Sequence, residues 1–375
     1  MTVRRALALG LVAGMLAVGA AWPAFAAAGP SLIGAYQVPK HLAVDDAPFG
    51  GVSGVDYDPR TGEWLMISDD RSDKAPARFY AARLAYDAGG VRTFELKRRV
   101  VLRREDGTAF PSTASAEGER ADAEALRVDP LDGQIVWTSE GDAARGFDPS
   151  LRRARPDGAY QGRLALPAGL AFDPRGLSGA RPNLTLEGLG YAPDGRSLWL
   201  SMEAPLIQDG PVSSVRAGGV SRITRLDRRG KVLAQYAYRL DPVQVAPGPG
   251  LRADNGVSEI LALDDHRLLV LERSGMEIRK DHFAFHCRLY LVDARGGQDI
   301  AARPSLADGG VKPLAKRLLV NFDRLHGVEA GNLEAMAWGP RLKDGRRSLV
   351  LMGDDNFDPE SPSALLVFAL GAGHR

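Results

Sequence analysis

Five times along this chain a short strand opens on Glu or Ser, turns at a Pro, Asp or Gly corner and returns as a second strand that ends in a carboxylate. The copies run from Ser53 to Asp69, Glu124 to Glu140, Glu187 to Glu203, Glu259 to Glu272 and Glu334 to Asp354, and the first three separations are all 16 residues. A hairpin repeated at a long, fairly even period is the signature of a radial β architecture. After the hairpin, copies one, three and four each supply two more strand-like runs: 78–84 and 98–102, 219–226 and 232–238, 288–292 and 314–320. Four strands per repeat make one blade of a β-propeller.

The fifth copy has only three strands before the chain ends: 335–338, 348–352 and 364–370. Its missing strand can come from 31–38, Ser-Leu-Ile-Gly-Ala-Tyr-Gln-Val, near the start of the chain. Closing the ring in this way joins the two ends of the domain and removes the unpaired edges of an open sheet. The expectation is therefore a single all-β propeller domain over 27–375 with five blades, a sixth, degenerate one staying open at 205–218 or 296–312. The stretches 103–120, 141–162 and 241–256 read as loops. Gly 43 and Pro 24 suit many short strands joined by turns, and no sustained 3.6-residue apolar period appears past residue 26.

Residues 1–26 read as a signal peptide, because Arg4 and Arg5 precede an apolar run that ends at Ala24-Phe25-Ala26, a small-residue cleavage pattern. This predicts a periplasmic or secreted protein with no membrane segment after cleavage. The single cysteine, Cys287, cannot form an internal disulfide and lies in an apolar strand-like run, where it reads as a buried small hydrophobe. Lys+Arg 48 against Asp+Glu 47 leaves no basic field of the kind that recruits nucleic acid.

The chemistry follows from the hairpin. The start of its first strand and the end of its second lie side by side, so each copy delivers its carboxylates to one face of the ring. Glu124, Glu187, Glu259 and Glu334 are expected there with Asp69, Glu140, Glu203, Glu272 and Asp354, and Ser53 fills the first strand-start slot. Like charges at that density raise one another's pKa unless a cation neutralises them. An all-oxygen donor set suits Ca²⁺, which takes roughly six to eight oxygens at about 2.3–2.6 Å. Asp122, two residues before Glu124, adds a carboxylate, and Asn183, Asn255, Asn332 and Asn356 offer amide oxygens. The alternative for any single Glu is a hydrogen bond to backbone or a pairing with Arg that locks neighbouring blades. Arg71 and Arg273 follow strand-end acids, and guanidinium forks beside carboxylate-held cations would bind a phosphate ester or carboxylate; each could equally balance its neighbouring acid.

His282 and His286 are spaced i, i+4, but within a strand-like Phe-Ala-Phe context rather than on a helix, and His326 is isolated. No G-x-S-x-G elbow, P-loop or C-x-x-C occurs, which argues against an α/β serine hydrolase, an NTPase and a thiol redox enzyme.

Several segments together resemble the exported bacterial phytase-like family, "esterase-like activity of phytase". They are Gly51-Val-Ser-Gly-Val-Asp-Tyr-Asp-Pro with Ile67-Ser-Asp-Asp-Arg71 and Ala77-Arg-Phe-Tyr80; Asp122-Ala-Glu-Ala-Leu126 with Ser139-Glu-Gly141; Leu186-Glu-Gly-Leu189 with Glu203-Ala-Pro-Leu206; Leu269-Val-Leu-Glu-Arg273; and Asn332-Leu-Glu-Ala-Met336 with Gly353-Asp-Asp-Asn-Phe357. The resemblance implies distant kinship with calcium-dependent propeller phytases, whose cations sit in an acidic central channel; those have six blades, so no catalytic residue carries over individually. The functional expectation is a Ca²⁺-dependent hydrolase of phosphate or other small-molecule esters. A lactonase-type propeller and a calcium-stabilised binding module without catalysis are the alternatives.

Overall fold

The computed structural model describes residues 29–371, so the segment read as a signal peptide lies outside the described residues. Five four-stranded antiparallel sheets account for the ring. Blade 1 contains Val52–Asp58, Glu63–Ser68, Arg78–Asp87 and Gly90–Val101 from the axis outward, and blade 2 contains Ala123–Val128, Ile135–Ser139, Ser150–Ala154 and Tyr160–Leu164. Blade 3 contains Leu186–Tyr191, Ser197–Met202, Val220–Asp227 and Val232–Arg239, and blade 4 contains Ala253–Ala262, Arg267–Arg279, His282–Asp293 and Lys316–Asn321. Blade 5 takes Asn332–Gly339, Arg347–Asp354 and Ala364–Leu370 from the end of the chain and Ser31–Gln37 from its beginning as the outermost strand.

That last pairing is the expected closure: Ser31–Gln37 runs antiparallel to Ala364–Leu370, with Ala35 opposite Leu366 and Gln37 opposite Ala364. A separate two-stranded ribbon, Ala43–Val44 with Ala47–Pro48, links this strand to blade 1.

Each inner strand packs against the next in cyclic order, blade 5 returning to blade 1. Small residues allow the close approach. A Cβ on Gly54 would lie 2.5 Å from the Glu124 carbonyl, and one on Gly188 would lie 2.7 Å from the Ile260 amide. The apolar residues form one cluster between every neighbouring pair of blades. Leu65, Ile67 and Phe79 meet Leu126 and Trp137 between blades 1 and 2, and Trp64, Met66 and Val55 meet Val350 and Met352 between blades 1 and 5. Alternation puts one face of each sheet against its left neighbour and the other against its right, so both faces are buried and the strands read as near-continuous apolar runs.

Two expectations change and one open alternative closes. The stretch 141–162 is not a loop throughout: it supplies Ser150–Ala154 and the start of Tyr160–Leu164, the outer half of blade 2. Its polar residues do not make it a loop: Arg152 is buried against Glu119 and Trp137, and only the outermost strand, Tyr160–Leu164, alternates toward solvent. The stretch 241–256 likewise ends inside the first strand of blade 4. No sixth blade forms at 205–218 or 296–312, which carry turns and a single 3-10 turn, Ile207–Asp209. No described helix is long and apolar enough to cross a membrane.

Candidate metal centre

A β-bulge sits at the start of every inner strand: between Val52 and Gly54, Ala123 and Leu126, Leu186 and Leu189, Val257 and Glu259, and Leu333 and Ala335. The extra residue re-aims a side chain out of the ladder. The bulged residues are Ser53, Glu124, Glu187, Ser258 and Glu334, and across from them, on or just past the second strands, stand Asp69, Glu140, Glu203, Arg273 and Asp354. The backbone pairings place these as equivalents: the Asp69 amide bonds the Gly51 carbonyl, that of Glu140 the Asp122 carbonyl and that of Glu203 the Thr185 carbonyl, while Arg273 stands opposite Gly256 and Asp354 opposite Asn332.

Blade 4 is therefore read one residue away from the expected slots. Ser258, not Glu259, fills its strand start, and Arg273, not Glu272, its strand end. A cue lies in the sequence: Val52-Ser-Gly-Val55 and Val257-Ser-Glu-Ile260 align on Val-Ser. Glu272 turns away from the mouth to an inter-blade network, accepting from Tyr238 Oη at 2.6 Å and Asn255 Nδ2 at 2.9 Å and pairing with Lys316 Nζ at 2.5 Å.

Glu259 lies deeper on the axis and pairs with Arg127 at 2.6 Å. Arg127 Nη1 and Nη2 also donate to the carbonyls of Val55, Leu126, Ile260 and Met336, and Glu259 accepts from the Leu189 amide. One guanidinium that reaches all five inner strands, directly or through Glu259, must stand on the axis, and it closes the channel at its waist. Nothing in the hairpin repeat pointed to Arg127; the only cue is a charge in the middle of an otherwise apolar, small-residue inner strand.

Above this plug the remaining acids converge. Carboxylate oxygens of Asp69, Glu124 and Glu334 lie within 4.8 Å of one another, as do those of Asp122, Glu124 and Glu140, and those of Glu140, Glu187 and Glu203. Asp354 joins the edge of this arc through Asn332, whose Nδ2 donates to Glu334 Oε1 at 2.9 Å and Asp354 Oδ2 at 3.4 Å. Backbone bareness lets the acids lie close to the strands: at Gly51, with φ +61°, a Cβ would come 2.5 Å from Asp69 Oδ1.

Burial holds Asp69, Glu124, Glu140, Glu187 and Asp354 well above the usual carboxylate range, and neighbouring carboxylates push each further up. Glu203 is raised by burial to about 7, with Arg273 pulling the other way. Two arginines answer this charge. Arg273 is drawn into the ring itself, bonding Glu203 at 2.8 Å, Glu334 and Asn332; it takes the place of a fourth-blade carboxylate and neutralises its neighbours. Arg71, in the left-handed backbone region at φ +51°, stays at the rim, 40% exposed, with Nε donating to Asp122 Oδ1 at 2.7 Å and Nη2 donating to Asn183. Asp69, Asp122, Glu124, Glu140, Glu187, Glu203, Glu334 and Asp354 thus face a clear deficit of positive charge.

Asn183 and Asn332 bond the site arginines, Asn255 bonds Glu272, and the Asn356 backbone amide donates to Asp354. Buried Cys287, its thiol pushed up to about 12 by burial, is inert. His282 and His286 lie on a strand and face Asp358 at 3.8 Å and Asp323 at 3.1 Å, separate partners rather than one ligand set.

A family model described as "Phytase-like: Esterase-like activity of phytase" matches residues 47–357. No curated protein matches the sequence. Among solved structures the fold is similar to a GH43 β-1,3-galactosidase, at 11% identity and a TM-score of 0.45 over 88% of this chain and 59% of that one. A mannose phosphorylase from Leishmania mexicana in complex with phosphate ion gives 10% identity and 0.41 over 92% and 93%, and a luciferin-regenerating enzyme 11% and 0.39 over 92% and 99%. The match, which covers most of the chain, establishes that this protein belongs to the phytase-like family.

Proposed function

We propose that the acidic mouth holds Ca²⁺ and that the protein is an exported hydrolase of phosphate or other small-molecule esters. The observation that carries this reading is Glu187: it is 6% exposed, yet its Oε2 has no hydrogen-bond partner, and it sits in a group with Glu140 and Glu203. A buried carboxylate oxygen left unpaired is costly, and a cation is what the surrounding oxygens are arranged to accept. The donor set fits a hard ion: every group is a carboxylate, with no thiolate or imidazole among them.

Asp69, Glu124 and Glu334 would hold one position, and Glu140, Glu187 and Glu203 another, with Asp122 between them. Calcium bound there supplies a Lewis acid that polarises an ester oxygen and offsets the charge of attacking hydroxide. Arg71 presents its guanidinium at the rim, tethered by Asp122, where it can fork onto a phosphoryl or carboxylate group. Arg273 is committed to Glu203 and Glu334 and serves to hold those acids in place. The Arg127–Glu259 plug closes the channel beneath the site, so substrate enters from the acidic mouth alone.

The test is release of p-nitrophenol from its phosphate and acetate esters. Activity is expected to disappear on chelation and return with Ca²⁺, and Glu187→Gln is expected to lower turnover at least tenfold while leaving a folded, five-bladed protein. Stabilisation by Ca²⁺ with no turnover of either ester would instead support a binding module, and no stabilisation at all would remove the metal site.

A further inference from the structure

The opposite mouth of the ring is built as regularly as the acidic one. Where the inner strands end, blades 1, 2, 3 and 5 turn at Pro59, Pro130, Pro193 and Pro340. These prolines, with Tyr57, Tyr191, Trp338 and Leu261, line a cavity of about 540 Å³, within the size range of small-molecule sites. Its lining is mainly apolar, in contrast to the carboxylate mouth. The aromatic rings are held in place by their own contacts: Tyr191 Oη donates to Asp129 at 2.9 Å, Trp338 Nε1 donates to the Ala262 carbonyl at 2.9 Å, and the Arg347 guanidinium stacks 3.5 Å from the Trp338 ring centroid.

Arg127 also lines this cavity. It is 2% exposed, and although its terminal nitrogens are fully engaged, its Nε–H has no partner. A buried donor without an acceptor is the exception among native polar groups. Its positive charge, however, is already matched by Glu259 at 2.6 Å, with the Asp56 carboxyl also lining the cavity. The Nε nitrogen is sealed from the cavity, so it offers a ligand no contact, and a further anion has no charge left to neutralise there; the lining suits a neutral apolar molecule.

We propose that this mouth is a second ligand site, separated from the acidic centre by the Arg127–Glu259 plug, and that it takes a small neutral aromatic molecule. The ring lies between the aromatic and proline walls. Aromatic faces favour offset or edge contacts with such a ligand, and the proline walls add rigid apolar area at no cost in side-chain entropy.

The probe is 6-propionyl-2-dimethylaminonaphthalene, a neutral naphthyl ketone whose emission shifts blue in an apolar site. Titration into the full chain in chelator is expected to saturate at one molecule per chain. Trp338→Ala should weaken the ketone at least tenfold; because that residue also packs against blade 4, Pro193→Trp at the exposed rim serves as a second variant and should block binding with the melting temperature unchanged. Glu187→Gln, in the acidic mouth, should leave binding unaltered. Binding that does not saturate or that ignores Pro193→Trp would overturn the proposal, and neither outcome touches the esterase reading.

Discussion

Arg127 carries a full positive charge to the axis of the ring, where it is 2% exposed and where the carbonyls of blades 1, 2, 4 and 5 and the Glu259 carboxylate converge on it. Taking a guanidinium out of water is expensive, and only this near-complete set of acceptors offsets the cost. Arg127→Met removes the donor and strands Glu259 without its partner. Urea unfolding of that variant is expected to show a loss of about 3–5 kcal/mol, the range for breaking one side of a buried pair; a loss under about 1 kcal/mol would deny the plug its role. Glu259 itself is pushed up to about 7 by burial, with Arg127 opposing the rise. A carboxyl that binds its proton more tightly folded than unfolded, where its value is 4.5, stabilises the fold fully below about pH 4.5, and that contribution is lost as the pH climbs through 7. Wild type in chelator should therefore lose roughly 2–3 kcal/mol relative to Glu259→Gln between pH 5 and pH 8. Parallel stability curves for the two proteins would contradict this.

At the scale of the element, the bulge that opens each inner strand decides which residue faces the mouth. A shift of one residue turns a side chain to the other face of a strand, and in blade 4 that shift sends Glu259 to the waist, turns Glu272 between blades and leaves Ser258 and Arg273 at the mouth. Blade 4 thus contributes a cation where blades 1, 2, 3 and 5 contribute acids. Arg273→Gln leaves Glu203 and Glu334 without their shared partner. The metal-free variant is expected to melt several degrees lower, and because an added calcium ion would then meet more uncompensated charge, its calcium-induced rise in melting temperature should exceed that of wild type. An equal or smaller rise would show that Arg273 is not a stand-in for the cation.

For the molecule as a whole, stability depends on a closed ring of inter-blade cores, since each blade buries both faces only while both neighbours are present. The closing strand Ser31–Gln37 is held on the Ala364–Leu370 edge by antiparallel pairing along its length. A chain that starts after residue 37 would expose the apolar Ala-Leu-Leu-Val-Phe-Ala-Leu edge, a template for pairing with other copies. That truncation is expected to lower the melting temperature by roughly 10 °C or more and to aggregate, measured by scanning calorimetry and light scattering. A monomeric truncation with the melting temperature of wild type would mean that closure contributes little.

Much of this was legible in the residues. Periodic hairpins between Gly, Pro and Asp corners set the all-β class, three strands left over at the end of the chain and one at its start set the closure, and repeat starts 53, 124, 187 and 334 marked four inner-strand slots correctly, because a period-2 strand and a tight turn are local properties. The outer half of blade 2 was missed because an outer hairpin carries too few apolar residues to stand out. What only the tertiary structure decided was register and convergence: that Glu259 and Glu272 fall one residue away from the positions that face the mouth, that Arg273 stands among the acids, and that Arg127 joins five strands on the axis. Those outcomes depend on side chains brought together from blades far apart in the chain. The five-fold repeat of acids belongs to the sequence, but their gathering above a buried arginine belongs to the closed ring.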